Sequence, residues 1–156
     1  RLPLNLKEYL YVRNDRRKIM HSILVENYMD GNPHAISDKA TVRDAIHLFM
    51  KENIPGAPVV NEEKLLVGFI SEQDCIKEML NDAFYCEESP AVTAVMSTEV
   101  KTLDPDDSIL AVAEAMAKAP PKNYPVVKSG KLIGLLSRKH ILKALVETNE
   151  DCYIHH

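Results

Sequence analysis

Residues 25–80 of this chain recur, in altered form, as residues 92–146. Val25-Glu26-Asn27-Tyr28-Met29 aligns with Val92-Thr93-Ala94-Val95-Met96 at an offset of 67, and Val42, Ala45, Ile46 and Phe49 fall on Ile109, Val112, Ala113 and Met116. Pro58-Val59-Val60 falls on Pro125-Val126-Val127. One deletion later the offset is 66, and Gly68-Phe69-Ile70-Ser71 matches Gly134-Leu135-Leu136-Ser137. A repeat constrains the fold more than any single residue, because one packing solution must serve both copies. A unit of roughly 55 residues buries a poor fraction of its surface and is marginal alone, so the two copies are expected to share one module.

Each copy carries the same pattern of elements. Ala35-Ile36 and Thr102-Leu103 are short extended pieces. Thr41 and Ser108 have the N-cap chemistry of a helix start, and Asp44 three residues after Thr41 completes a capping box. Two strands follow, Ala57 to Val60 and Leu65 to Ile70, matched by Tyr124 to Val127 and Leu132 to Leu136. A second helix then carries Cys75, Ile76, Met79 and Leu80, matched by Ile141, Leu142, Leu145 and Val146, so both helices are expected to bury the same face. The fold class is α+β, two β-α-β-β-α repeats related by a pseudo-two-fold. An extra N-terminal helix is expected from about Asp15 to Asn27. The parts are residues 1–24 (arm and helix), 25–80 (first repeat), 81–91 (linker), 92–148 (second repeat) and 149–156 (polar tail, with His155-His156 resembling a tag remnant).

Bulk properties narrow the function. The net charge of −4 gives no field for non-specific nucleic-acid binding, and the cluster Arg13, Arg16, Arg17, Lys18 is interrupted by Asp15. No apolar run has membrane-spanning length, and no signal-peptide core is seen. The chain begins at Arg1, from which further sequence upstream is expected. Cys75, Cys86 and Cys152 are odd in number and lack close pairing, which points to a reducing, cytoplasmic setting. His21, His34, His47 and His140 with Cys75 lack metal-ligand spacing, and no nucleophile elbow occurs.

The most chemically loaded stretch is Gly68-Phe69-Ile70-Ser71-Glu72-Gln73-Asp74. Ser-x-x-Asp opening a helix is a capping box and needs no ligand. The same residues can also receive a nucleotide. Gly68 permits close approach to the strand, Ser71 offers a hydroxyl beside helix-start amides, and Asp74 has two acceptor oxygens for a ribose diol. The two readings are compatible.

The order of these motifs, occurring twice, resembles a tandem pair of cystathionine β-synthase (CBS) domains, the Bateman module. The resemblance covers about residues 20–148 and rests on Met29 and Met96 closing the lead-ins, the capped helix, the Pro-Val-Val strand and the Gly-h-h-Ser signature (h apolar). It implies a non-catalytic regulatory module that senses AMP, ADP, ATP or S-adenosylmethionine in a cleft between the repeats, without a catalytic cofactor. It also implies that Asp74 holds the ribose and that adenine fits a slot formed by Ala35, Ile36, Ile54, Pro55, Gly56, Ala57 and Pro58. A homodimer and a separate effector protein are the implied partners, with no nucleic acid and no membrane. The alternative is a ligand-free dimerisation module. The second copy departs from the signature: Gly134-Leu135-Leu136-Ser137-Arg138-Lys139-His140 has an imidazole where the first has a carboxylate. Imidazole has one acceptor at most and cannot chelate a diol, so the second cleft is expected to be empty or to bind differently. Arg138, Lys139 and His140 oppose the helix dipole, and with Arg43 they are candidate phosphate contacts, the other reading being solvated surface charge.

Overall fold

The computed structural model describes residues 23–85 and 88–154. The basic cluster at Arg13–Lys18, His21, Cys86 and the terminal histidine pair lie outside the described residues. The first repeat contains β1 (Ile36–Ser37), α1 (Val42–Glu52), β2 (Gly56–Val60), β3 (Leu66–Ser71) and α2 (Glu72–Tyr85); the second contains α3 (Ile109–Lys118), β4 (Asn123–Lys128), β5 (Lys131–Ser137) and α4 (Arg138–Ile154). Each repeat opens on a single 3-10 turn, Val25–Asn27 and Val92–Ala94.

Two expectations at the lead-ins are corrected. The helix expected to reach Asn27 does not: Leu24 is extended (φ −96°, ψ 151°) and Val25–Asn27 is the 3-10 turn. Its backbone is drawn elsewhere, with Val25 N–H donating to Asp107 O at 2.9 Å and Ile109 N–H to Ile23 O at 2.9 Å. The strand expected at Thr102-Leu103 is reduced to one parallel bridge between Leu103 and Val126. Pro105, which lacks an amide hydrogen, stands where Asp38 donates its N–H to Val60 O in the first repeat.

The described chain divides into two compact units that do not coincide with the repeats. One comprises Asn32–Thr102 and Val127–Ile133; the other comprises the residues up to Gly31, Leu103–Val126 and the residues from Gly134 onward. Each unit therefore joins the body of one repeat to the lead-in of the other.

In the first of these units β1 pairs parallel with β2 (Ile36 opposite Val59), and β2 pairs antiparallel with β3 (Ala57 opposite Ile70). Ile36, Val42, Ala45, Phe49, Ala57, Val59, Ile70, Cys75 and Val92 form its core. Val92 comes from the lead-in of the second repeat, clipped in place by Val92 N–H to Ala40 O and Val42 N–H to Pro90 O, both 2.9 Å. α1 starts on the expected capping box. Thr41 Oγ1 accepts from Asp44 N–H at 3.2 Å, and Asp44 Oδ2 accepts from Thr41 N–H at 2.9 Å. These bonds hold the Asp44 carboxyl below the usual carboxylate range. α1 ends on Asn53 in the left-handed conformation (φ 53°), a residue type that tolerates it.

In the other unit Val25, Ile109, Val112, Tyr124, Val126, Leu136, Ile141 and Ala144 are buried. The β4–β5 hairpin, whose tip Val127–Ile133 belongs to the first unit, turns through Ser129 and Gly130, both at positive φ (52° and 78°), the backbone that a two-residue hairpin loop requires.

The second helices bury a narrower face than the apolar pattern predicts. Cys75 and Ile141 are inside, whereas Ile76 and Leu80 on α2 are 59% and 63% exposed, and Leu142 and Val146 on α4 are 61% and 60% exposed. α2 continues to Tyr85 and α4 to Ile154, since neither segment meets a proline or glycine.

Candidate functional site

The turn from β3 into α2 is held by Ser71 and Asp74. Ser71 N–H and Ser71 Oγ–H both donate to Asp74 Oδ2, at 3.0 and 2.9 Å, and Asp74 N–H donates to Ser71 Oγ at 3.2 Å. Glu72 N–H is taken by Pro55 O at 2.9 Å. The capping reading of Ser-x-x-Asp thus holds geometrically. Asp74 Oδ1 takes no part in the cap.

Asp74 lines an open groove of about 530 Å³, together with Lys77, Glu78, Leu80 and Asn81 of α2 and with Ala94 and Val95. The last two belong to the lead-in of the second repeat, so both repeats contribute to a groove that lies within one compact unit. The sequence reading omitted Lys77, Glu78, Asn81, Ala94 and Val95. The i+3, i+4 and i+7 spacing from Asp74 would have placed the helical three on its face, but no local signal placed residues 94 and 95 opposite.

The other candidates separate into accessible and enclosed groups. Ile36, Ala57 and Pro58 are buried in the core, and Gly56 is buried as well. A Cβ at Gly56 would meet the Phe69 ring at 2.8 Å and Ile70 O at 2.9 Å, so the close approach there is by protein. Ala35, Ile54 and Pro55 remain the accessible members of the proposed adenine slot. Gly68 is likewise approached by protein: a Cβ would lie 2.5 Å from Met96 Sδ and 2.8 Å from Ser97 O. An antiparallel bridge between Phe69 and Ser97 fixes this contact. Arg43 is exposed, and its N–H donates to Ser89 Oγ at 3.1 Å. Near β1, Asp38 Oδ1 is shielded from solvent without a hydrogen-bond partner among the described residues.

The second signature reproduces the cap with different chemistry. Ser137 N–H donates to His140 Nδ1 at 2.9 Å, and Ser137 Oγ lies 3.1 Å from the same nitrogen. The imidazole is thereby fixed with its proton on Nε2. Burial lowers the His140 pKa; Asp30 opposes that shift, and Lys139 and Lys143 reinforce it. Arg138 and Lys139 are exposed. The positions equivalent to Val95 and Asn81 are Tyr28 and Glu147, and here Tyr28 O–H donates to Glu147 Oε2 at 2.5 Å. That bond raises the Tyr28 pKa and spans the place where the other unit has its groove.

Among the described residues, the histidines and Cys75 form no cluster that could hold a metal ion. His34 Nε2 lies 3.3 Å from Glu52 Oε2, His47 is exposed, and burial pushes the Cys75 thiol up, with Asp74 and Glu72 adding to the effect. Among the described residues, Asp104, Asp106 and Asp107 are close enough to share an ion, on an exposed turn of the kind common without one. No described helix is long and apolar enough to cross a membrane.

Comparison with known proteins agrees with this duplicated architecture. Protein MJ1225 of Methanocaldococcus jannaschii is 28% identical over 78% of the chain, which spans 42% of that protein. The chain covers 15% of the A-adding tRNA nucleotidyltransferase of Aquifex aeolicus, at 30% identity over 81% of its own length. The structure of CBSX2 in complex with AMP aligns over 80% of this chain and 96% of its own (24% identity, TM-score 0.69). The CBS domain pair of protein MJ0100, in complex with 5′-methylthioadenosine and S-adenosyl-L-methionine, aligns over 80% of this chain and 97% of its own (23% identity, TM-score 0.67). The CBS domain family matches residues 25–81 and 92–147. With both repeats matched, the chain belongs to the CBS domain family as a tandem pair.

Proposed function

We propose that this chain is a non-catalytic regulatory module whose ligand is an adenosine-containing small molecule, held through its ribose by Asp74. The observation that carries the reading is the Asp74 carboxylate itself. The Ser71 cap fixes it through Oδ2, which leaves Oδ1 with two lone pairs for a diol at the wall of a groove lined by both repeats. The AMP, methylthioadenosine and S-adenosylmethionine complexes of the structural neighbours support the ligand class. Ala35, Ile54 and Pro55 are the proposed contacts for the base, and a cytoplasmic setting with a separate effector protein completes the proposal. Signalling would be a population shift, in which ligand touching residues of both repeats favours one arrangement of the module.

Thermal shift with AMP, ADP, ATP, S-adenosylmethionine and NAD at millimolar concentration tests this. A ligand at a hundred times its Kd adds about 2.7 kcal/mol, a shift of several degrees for a chain of this size. No shift with any of them would defeat the proposal. The exposed pairs Ile76/Leu80 and Leu142/Val146 favour a second reading, a dimerisation module, which can hold with or without a ligand.

A further inference from the structure

We infer that the α2 groove selects adenosine compounds with an uncharged or cationic 5′ end and disfavours 5′-phosphates. The inference rests on the ribose reading of Asp74. A ribose on Oδ1 brings its 5′ substituent into the groove that Asp74 lines. The charged groups of that groove besides Asp74 are Lys77 and Glu78, and Asp74 itself belongs to the first turn of α2.

Helix starts ordinarily welcome phosphate through free amides and a positive dipole end. Here three of these amides are committed, and carboxylates offset the dipole end. Ser71 N–H and Asp74 N–H close the cap, Glu72 N–H is held by Pro55 O, and the Ser71 hydroxyl donates to Asp74 rather than outward. The first turn is acidic, with Glu72 and Asp74, and Glu78 adds a third carboxylate one turn on. Lys77 is the cation lining the groove, outnumbered by Asp74 and Glu78. A phosphate dianion therefore meets a net negative wall and few donors. A thioether meets no penalty, and a sulfonium or ammonium group is attracted. The equivalent helix α4 opens with Arg138 and Lys139, so this acidity is particular to the first signature and not imposed by the fold.

The test is calorimetric titration of the whole chain with 5′-methylthioadenosine, S-adenosylmethionine, AMP and ATP at low ionic strength. The first two are expected to bind at least tenfold more tightly than AMP, and ATP more weakly than AMP. Glu78→Gln should narrow the gap between methylthioadenosine and AMP severalfold, and Lys77→Gln should widen it; circular dichroism of both variants checks that they fold. AMP or ATP binding as tightly as methylthioadenosine would overturn the inference while leaving the adenosine-sensing proposal intact. An unchanged ratio in both variants would also overturn it. If none of the four compounds binds, both the inference and the proposal beneath it fall.

Discussion

Met96 lies against Gly68 so closely that a Cβ on the glycine would fall 2.5 Å from its sulfur, and Met29 stands in the same relation to Gly134. The methionine closing each lead-in is thus seated on the signature glycine of the other repeat. Both contacts are reinforced by backbone bridges, Phe69 with Ser97 and Asp30 with Leu135. Gly68→Ala and Gly134→Ala should each cost about 1–3 kcal/mol, because the sulfur and an adjacent carbonyl must both move. Urea unfolding measures this. A loss below about 0.5 kcal/mol in both would show that the lead-ins yield easily.

The His140 cap makes stability depend on pH. Nδ1 accepts from Ser137 N–H only when unprotonated. The folded-state pKa is lowered, chiefly by burial, so the unfolded chain takes up a proton first as pH falls. This contribution is present above the unfolded value of about 6.5 and is lost as pH drops through the folded one. Comparison of melting temperatures at pH 7.5 and 5.5 should show a fall in the wild type that is smaller in His140→Asn, whose amide oxygen keeps the cap without titrating. Equal falls would place the proton elsewhere.

Ile76 with Leu80, and Leu142 with Val146, present large apolar side chains to solvent at equivalent positions of α2 and α4. If these faces meet a second copy, sedimentation velocity at tens of micromolar will show a dimer, and Ile76→Glu with Leu142→Glu will give monomers of unchanged helicity. A monomeric wild type at that concentration would contradict the dimer.

The chemistry of the fold was largely legible in sequence. The repeat order, both capped helices and both strand pairs follow from periodicity and N-cap residues, because those signals are local. The exchange of lead-ins was not legible: Val25 and Val92 look alike whether they pack on their own repeat or on the other. At the candidate site, Asp74 and its cap are visible in Ser71-Glu72-Gln73-Asp74, yet the same stretch does not reveal that Oδ2 is consumed and Oδ1 is not. The adenine slot that the resemblance implies includes Pro58, Ala57 and Ile36, which are buried in the core, a depth that no local sequence pattern reports. The asymmetry between the copies was visible in His140. Its structural complement, the Tyr28–Glu147 hydrogen bond, joins residues too far apart in the chain to be paired by spacing.

The most direct test of the central claim is calorimetric titration of adenosine into the wild type, Asp74→Asn and His140→Asn. Asparagine keeps an acceptor for the Ser71 amide, so Asp74→Asn should fold with little loss of stability. The account predicts one equivalent bound per wild-type chain, affinity reduced at least tenfold in Asp74→Asn, and no change in His140→Asn. Undiminished binding by Asp74→Asn would contradict it.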